Sequence, residues 1–423
     1  MNKFLQIFKI KDLRNKVLIV IGLLVAFRLL AAIPIPGIDA DSLRQYFNSN
    51  QLFGFLNLFS GGGLDNLSLV MLGVGPYITA TIVMQLLTII FPKFKQLYYE
   101  EGAQGRAKFN QYSRLLTIPL AILQSYSFLA ILIKQGVMDS PGTLAMITNI
   151  AVVTAGTMVT LWLGEIISEQ KIGNGISLII LAGIVSGLPK TVQQFFVSYS
   201  ADQLPTFIGF IVVAVLLVAG VVYLNEGERK IPVTYARRVR GNKLFGGSSS
   251  YLPLKVNQAG MIPLIFAVSV LLFPQFLGQI LGAFSGGLGT TISDFINRLL
   301  SNQLFYGSFY FVLVFAFTYF YTTITFNPEE ISKNLQRGGG FVPGIRPGEN
   351  TTKFFSHAVS RLTFFGALFL GLIAVLPIIL QPLTGSTALS ISGTALLIVV
   401  AVALETMRQI NSQLTVREYD SIN

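Results

Sequence analysis

The chain of 423 residues is 52% hydrophobic and 12% charged, and its mean hydropathy of +0.65 excludes an ordinary soluble domain of this size. Its formal net charge is +11. It has no cysteine and one histidine, which excludes disulfide bonds, thiolate metal sites, a cysteine nucleophile and a histidine cluster.

Ten largely uncharged stretches follow one another along the chain. A hydrocarbon core of about 30 Å takes about 20 residues of α-helix. The ten predicted spans are residues 17–33, 67–90, 115–133, 144–164, 176–199, 206–224, 259–281, 304–326, 362–380 and 387–404. Pro189 and Lys190 interrupt the fifth. The sequence therefore predicts an all-α, polytopic membrane protein.

Basic residues are distributed unequally between the segments that connect these spans. With the amino terminus inside, the inner segments carry 24 Lys and Arg residues, whereas the outer segments carry four. Positive charge is retained on the cytoplasmic side of a membrane, so both termini are expected in the cytoplasm. No small-residue cleavage site follows the first apolar run, and the first span is expected to remain.

The inner segment 225–257, "NEGERKIPVTYARRVRGNKLFGGSSSYLPLKVN", is far longer than a helix connection requires. It interleaves Arg229, Lys230, Arg237 and Arg238 with apolar residues, an alternation that predicts a β-hairpin projecting from the membrane. Such a surface could bind phosphate backbones, acidic proteins or lipid headgroups.

A second inner segment, 327–354, begins "NPEEISKNLQRGGGFVPGIRPGENT". Proline fixes φ and glycine permits positive φ, so "GGGFVPGIRPG" predicts a defined, exposed tip presenting Arg346. Arg suits docking against a carboxylate or phosphate. The alternative is an ordinary Gly/Pro turn.

The span interiors hold essentially no ionisable residue. Glu165, Glu405, Arg28 and Arg361 lie near span ends, from which long side chains can reach the interface, and His357 is expected to be an interfacial residue. A solute transporter would show a polar site at the midplane. Hydrolase, metalloprotease and nucleotide-binding motifs are absent, so we expect neither an enzyme nor a cofactor or metal site.

The outer segment 54–66 begins apolar and meets three consecutive glycines, Gly61, Gly62 and Gly63. Its apolar part is too short to cross a bilayer, so it is expected to fold back into the protein. The glycines are typical either of a hinge or of a tight turn.

Six blocks of sequence resemble the SecY family of protein-conducting channels, in order and over nearly the whole chain. They are "IPIPGID" (33–39), "LFSGGGLDNLSLVMLGVGPYITATIVMQLL" (58–87), "KIGNGISLIILAGIVSGLP" (171–189), "ERKIPVTYARR" (228–238), "KVNQAGMIPLIFA" (255–267) and "GGFVPGIRPGENT" (339–351).

The resemblance implies ten helices in two pseudo-symmetric five-helix halves, residues 1–200 and 201–423. It also implies a channel that opens across the bacterial plasma membrane and sideways into lipid. By matching positions, the pore ring falls on Val74, Ile78, Ile176, Ile180, Ile265 and Ile398. The plug falls near 53–66, with Phe55, Leu56, Phe59, Gly61, Gly62 and Gly63. The lateral gate, where a signal sequence docks, falls on Thr79, Gln85 and Phe273.

Partners are implied in the same way. They are the subunits SecE and SecG, the motor ATPase SecA, the ribosome, signal sequences, translocating polypeptides and membrane lipid. The docking residues for SecA or the ribosome match Arg229, Lys230, Arg237, Arg238 and Arg346. Two alternatives to the general secretion channel are an inverted-repeat solute or lipid transporter and an accessory family member dedicated to one exported substrate.

Overall fold

A computed structural model describes most of the chain. The described residues are 10–35, 60–64, 67–134, 136, 138, 142–197, 204–235, 238–240, 243–245, 249–271, 274, 291, 295, 298–299, 302–384 and 387–420. The helices are α1 (Lys11–Ala31), α2 (Gly75–Ile90), α3 (Pro92–Tyr99), α4 (Gly102–Lys134), α5 (Thr143–Glu169), α6 (Gly175–Val197), α7 (Leu204–Glu226), α8 (Ile262–Leu271), α9 (Gln303–Thr325), α10 (Pro328–Arg337), α11 (Glu349–Thr384) and α12 (Thr387–Asp420). The strands are β1 (Glu228–Tyr235), β2 (Arg238–Arg240), β3 (Lys243–Phe245), β4 (Ser249–Lys255) and β5 (Gly340–Phe341).

Each of the ten predicted spans contains one of these helices, so the all-α membrane class is confirmed. Among the described residues, five helices are long and apolar enough to cross a membrane. A sixth span results if α2 and α3, which are bent by 110° at Phe91, are taken together. Helices α6, α7 and α8 contribute shorter apolar stretches. The count of ten spans therefore remains a prediction.

The second span does not begin where hydropathy placed it. Residues 67–74 form turns, and helix α2 begins at Gly75. Leu67 and Gly73 take positive φ values of 40° and 50°, which a helix cannot contain. Pro76 then lies in the first helical turn, where its missing N–H costs nothing.

The helix of the fifth span is not interrupted at Pro189. Helix α6 continues through this proline to Val197. Pro189 and Lys190 interrupt the apolar run but do not end the helix. A proline removes one intrahelical hydrogen bond, and helices in a membrane tolerate that loss when they are supported by neighbours.

The helices pack into one body around a large apolar cluster. Helix α1 contacts α5 and α6, α2 contacts α4, and α4 contacts α5, which contacts α6. In the second part of the chain, α11 contacts α7, α9 and α12. The contact between α6 and α12 joins the two parts, and the apolar cluster extends across this junction.

Both long inner segments contribute to a single three-stranded sheet, in the order β4-β1-β5. Strand β1 pairs antiparallel with β4 from Glu228↔Lys255 to Thr234↔Ser249, which confirms the hairpin predicted from the alternating pattern. On its other side, β1 pairs with β5 at Thr234↔Phe341. The buried face of the sheet packs on apolar residues of α11. We call this unit, β1 with β4, β5 and the segment to residue 348, the loop sheet.

Candidate functional site: an apolar constriction and its flanking segments

The six residues assigned to a pore ring belong to one cluster of apolar side chains. Val74 and Ile78 come from α2 and its cap, Ile176 and Ile180 from the start of α6, Ile265 from α8, and Ile398 from α12. Five are buried, with at most 6% of their surface exposed, and Ile176 is half-buried against the cluster. The fold thus brings four distant parts of the sequence to one aliphatic region.

Local structure at the start of α6 orients two of these isoleucines. The side chain of Asn174 caps the helix, because its Oδ1 accepts hydrogen bonds from the N–H groups of Ile176 and Ser177 at 3.1 and 3.2 Å. Gly175 allows α6 to approach α5 closely, since a Cβ there would lie 1.8 Å from the carbonyl oxygen of Gly164. Capping and close packing together fix Ile176 and, one turn later, Ile180.

The glycine segment, residues 60–64, is buried throughout and forms turns. Gly61 and Gly62 have φ values of +67° and +77°, a conformation that favours glycine. A Cβ on Gly61 would lie 2.7 Å from the Cζ of Phe27. Both interpretations of the glycines from sequence missed this requirement for close packing.

The segment packs against α6 on one side and against the turn before α2 on the other. A Cβ on Gly183 of α6 would lie 2.1 Å from the Cα of Gly61, and a Cβ on Gly73 would lie 2.6 Å from the Cα of Ser60. The Oγ of Ser68 donates to the carbonyl of Gly63 at 2.9 Å. Phe55, Leu56 and Phe59, the apolar plug residues, lie outside the described residues.

Two of the three predicted gate residues lie on α2. The hydroxyl of Thr79 donates to the carbonyl of Gly75 at 3.1 Å and accepts a hydrogen bond of 3.4 Å from the Nε2 of Gln124 on α4. Gln85 is buried, and its Oε1 has no hydrogen-bond partner among the described residues. An interhelical hydrogen bond from α2 to α4 is made at Thr79, and Gln124 is a partner that sequence reasoning missed. Phe273 lies outside the described part of the chain.

Three of the five predicted docking residues lie on the loop sheet. Arg229 and Lys230 are exposed on β1, and Arg346 is exposed at the tip that follows β5. The backbone of Arg238 is in β2, whereas Arg237 is outside the described residues.

Hydrogen bonds hold the tip in one conformation. The hydroxyl of Thr351 donates to the carbonyl of Arg346, and that of Ser332 donates to the carbonyl of Gly348, both at 3.0 Å. The arginine is thus presented by a fixed backbone.

Two exposed ion pairs begin the helices on either side of the tip. Lys333 Nζ lies 2.6 Å from Oε1 of Glu329, and Lys353 Nζ lies 2.8 Å from Oε1 of Glu349. Each lysine lowers the pKa of its partner's carboxyl through a hydrogen bond and through its charge. Both pairs have the i,i+4 spacing that supports a helix.

A buried amide pair connects the base of the loop sheet to the helices. The Nδ2 of Asn257, which follows β4, donates to the Oδ1 of Asn225 at 2.9 Å and to the carbonyl of Gly260 at 3.1 Å. Arg408 of α12 reaches the same end of α7, where its Nη2 lies 2.7 Å from Oε1 of Glu226. We call Asn225, Asn257 and Arg408 the amide junction.

The charged side chains near the span ends have different surroundings. Glu165 pairs with Arg114 of α4, and Arg361 and His357 are exposed. Arg28 instead points to the glycine segment, with its Nη1 donating to the carbonyl of Gly61 at 2.7 Å. The tendency of a long charged side chain to reach the membrane interface does not predict this contact.

Comparison with known families gives a match over most of the chain. The family model described as SecY matches residues 68–407. The protein translocase subunit SecY of Mycobacterium tuberculosis is 40% identical, and the alignment covers 99% of each chain. The subunit of the same name from Thermus thermophilus is 42% identical over 99% of this chain and 96% of that protein.

Solved structures share the fold at lower identity. A structure described as that of a protein conducting channel superposes with a TM-score of 0.66 at 21% identity and covers 94% of this chain and 91% of the other. A second, concerned with the plug domain of the SecY protein, gives a TM-score of 0.63 at 19% identity and covers 92% and 90%.

Proposed function

This chain belongs to the SecY family, and on that premise we propose that it is the pore-forming subunit of a general protein-secretion translocon. It passes unfolded polypeptides across the membrane and releases hydrophobic segments sideways into lipid. Relatives that match nearly its full length are protein translocase subunits, which supports this function.

The observation that carries the proposal is that all six aliphatic side chains, from α2 and its cap, α6, α8 and α12, belong to the same large apolar cluster. Aliphatic side chains resist wetting and so block ions. They offer no fixed charge or hydrogen bond that would retain a passing polypeptide, and their contacts are non-directional. A ring of this chemistry seals the resting channel and accommodates unrelated sequences.

The glycine segment forms the inner part of a plug that closes the channel. Its burial between α1, α6 and the turn before α2 supports a closed position. Sideways release takes place beside α2, at Thr79 and Gln85, with Phe273 on the opposite side of the gate. The halves 1–200 and 201–423 separate there.

The loop sheet is the docking surface for the motor ATPase SecA or the ribosome. Exposed Arg229, Lys230 and Arg346, presented on one hydrogen-bonded unit, support that role, since Arg suits carboxylate and phosphate. SecE and SecG complete the complex. The sequence has no nucleotide-binding motif, so if transport consumes ATP, a partner must hydrolyse it. The excess of basic residues in the inner segments supports a bacterial plasma membrane protein with both termini in the cytoplasm.

The ring assignment is tested by resting ion conductance in vesicles that contain the purified complex. Replacing Ile78 and Ile180 with glycine removes two ring side chains and should raise the resting leak at least about tenfold, because water then enters the constriction. The matched control replaces Val83 and Val185, exposed β-branched residues of the same two helices. An unchanged leak in the ring variant, or an equal leak in the control, would overturn the assignment.

A further inference from the structure

The last turn of α1 carries an arginine whose side chain is directed at the glycine segment. Nη1 of Arg28 donates a hydrogen bond of 2.7 Å to the carbonyl oxygen of Gly61. The same nitrogen lies only 3.0 Å from the position that a Cβ on Gly62 would occupy. Side chains at both residues would therefore crowd the contacts of the segment with α1.

The contact joins three separate parts of the chain. On the side of α1, Phe27 and Arg28 touch Gly61 and Gly62, and on the side of α6, Gly183 lies against Gly61. The segment is therefore clamped between two helices, with packing on both sides and a charged hydrogen bond on one. Packing against glycine is non-directional, whereas the guanidinium bond fixes the position of one carbonyl group.

The placement of this charge argues for a specific role. A long cation near a span end can remain in water at little cost, and Arg28 is instead half-buried and bonded to the main chain of a buried turn. A hydrogen bond from a charged donor is typically strong enough to change a two-state population about tenfold or more. Its loss should shift the segment measurably towards a released position.

We propose that Arg28 is a positioning residue that holds the glycine segment in the closed channel. It acts through the carbonyl of Gly61, so that the segment leaves only when this hydrogen bond breaks. The inference rests on the proposed function, because closure matters only in a channel, but its test needs neither a motor nor a translocating substrate.

The absence of cysteine from the chain allows a direct test with a single thiol. Ser60→Cys places a nearly isosteric reporter in the segment at a residue that is 1% exposed. The intact complex in vesicles is treated with a membrane-impermeant maleimide, and the rate of labelling is measured. In the Arg28→Met variant, which retains volume but cannot donate, labelling should be at least about tenfold faster than with Arg28 present.

Three further variants test the need for a cationic donor at residue 28 and control for general damage. Arg28→Lys retains a cationic donor and should label within about threefold of the parent, whereas Arg28→Gln is neutral and too short and should behave like Arg28→Met. Arg361→Met removes an exposed arginine of α11 and should leave the rate unchanged. Thermal unfolding of each complex identifies variants that are not folded, and the Gln variant replaces the Met variant if the latter fails.

Labelling of folded Arg28→Met or Arg28→Gln at the parental rate would overturn the proposal. Labelling of Arg28→Lys as fast as that of Arg28→Met would also overturn it. A second readout is the resting ion conductance, which should rise in the same variants. If the complex conducted no polypeptide at all but labelling followed the expected order, the proposed function would fail while the role of Arg28 in holding the segment would stand.

Discussion

Gly183 of α6 lies directly against Gly61 of the glycine segment, so closely that a Cβ on Gly183 would be 2.1 Å from the Cα of Gly61. No side chain fits at that point unless one of the two backbones moves. This contact therefore shows how closely the glycine segment packs against α6.

We expect Gly183→Ala to displace the glycine segment. The added methyl group overpacks a backbone contact, which typically costs about 1–3 kcal/mol, and the resting ion leak should rise together with a fall in the thermal unfolding midpoint. Gly187→Ala, one turn further along α6, is the matched control, because a Cβ added at Gly187 would meet no neighbouring atom within 4 Å. A leak that is equal in the two variants would show that the contact is not what seats the segment.

The two buried glutamines near the proposed gate should respond in opposite ways. Gln85→Leu removes a buried carboxamide oxygen for which the described structure shows no partner, so it should leave the thermal midpoint unchanged or raise it. Gln124→Leu removes the donor to Thr79 and should destabilise by about 0.5–1.5 kcal/mol. A greater loss of stability for Gln85→Leu than for Gln124→Leu would contradict this expectation.

Asn225 and Asn257 of the amide junction should behave as a coupled pair. Asn257→Leu leaves the Oδ1 of Asn225 without its 2.9 Å donor, which should cost about 1–3 kcal/mol of unfolding free energy. In the double variant with Asn225→Leu the loss should be less than the sum of the two single losses, since both polar groups are then gone. Denaturant unfolding of all four proteins measures the coupling, and strict additivity would mean that the bond contributes nothing.

Reversing the charge at the exposed tip tests the loop sheet as a docking surface. We expect Arg346→Glu to abolish motor-driven export in reconstituted vesicles while the complex still assembles, because an acidic side chain repels the carboxylate or phosphate that an arginine recognises. Arg106→Glu, at an exposed site in the first part of α4, is the control and should export normally. Parental export rates in Arg346→Glu would refute the docking role.

Periodicity and composition predicted the parts of this fold that depend on local sequence. Alternation in residues 228–235 places Ile231 and Val233 on the buried face of β1, as the structure has them. The start of α2 could not be found in the same way, since the turn at 67–74 is as uncharged as the helix, and only the φ values of Leu67 and Gly73 separate them.

The sequence contains no comparable pattern that would predict contacts between distant segments. An apolar helix with a glycine at position 183 shows no sign of which backbone approaches it, and Gln124 gives no indication in an apolar span that Thr79 is its partner. The ring residues could be named only through the resemblance, because aliphatic residues one turn apart occur on every span.

Strand β5 contributes only Gly340 and Phe341, yet its pairing with β1 joins the two inner segments in one sheet. The tip is thereby connected along β1 to residue 227 and α7, and through the packed face to α11. The two inner segments therefore form one structural unit rather than two independent loops. We therefore expect a partner bound at either segment to act on both of these membrane helices.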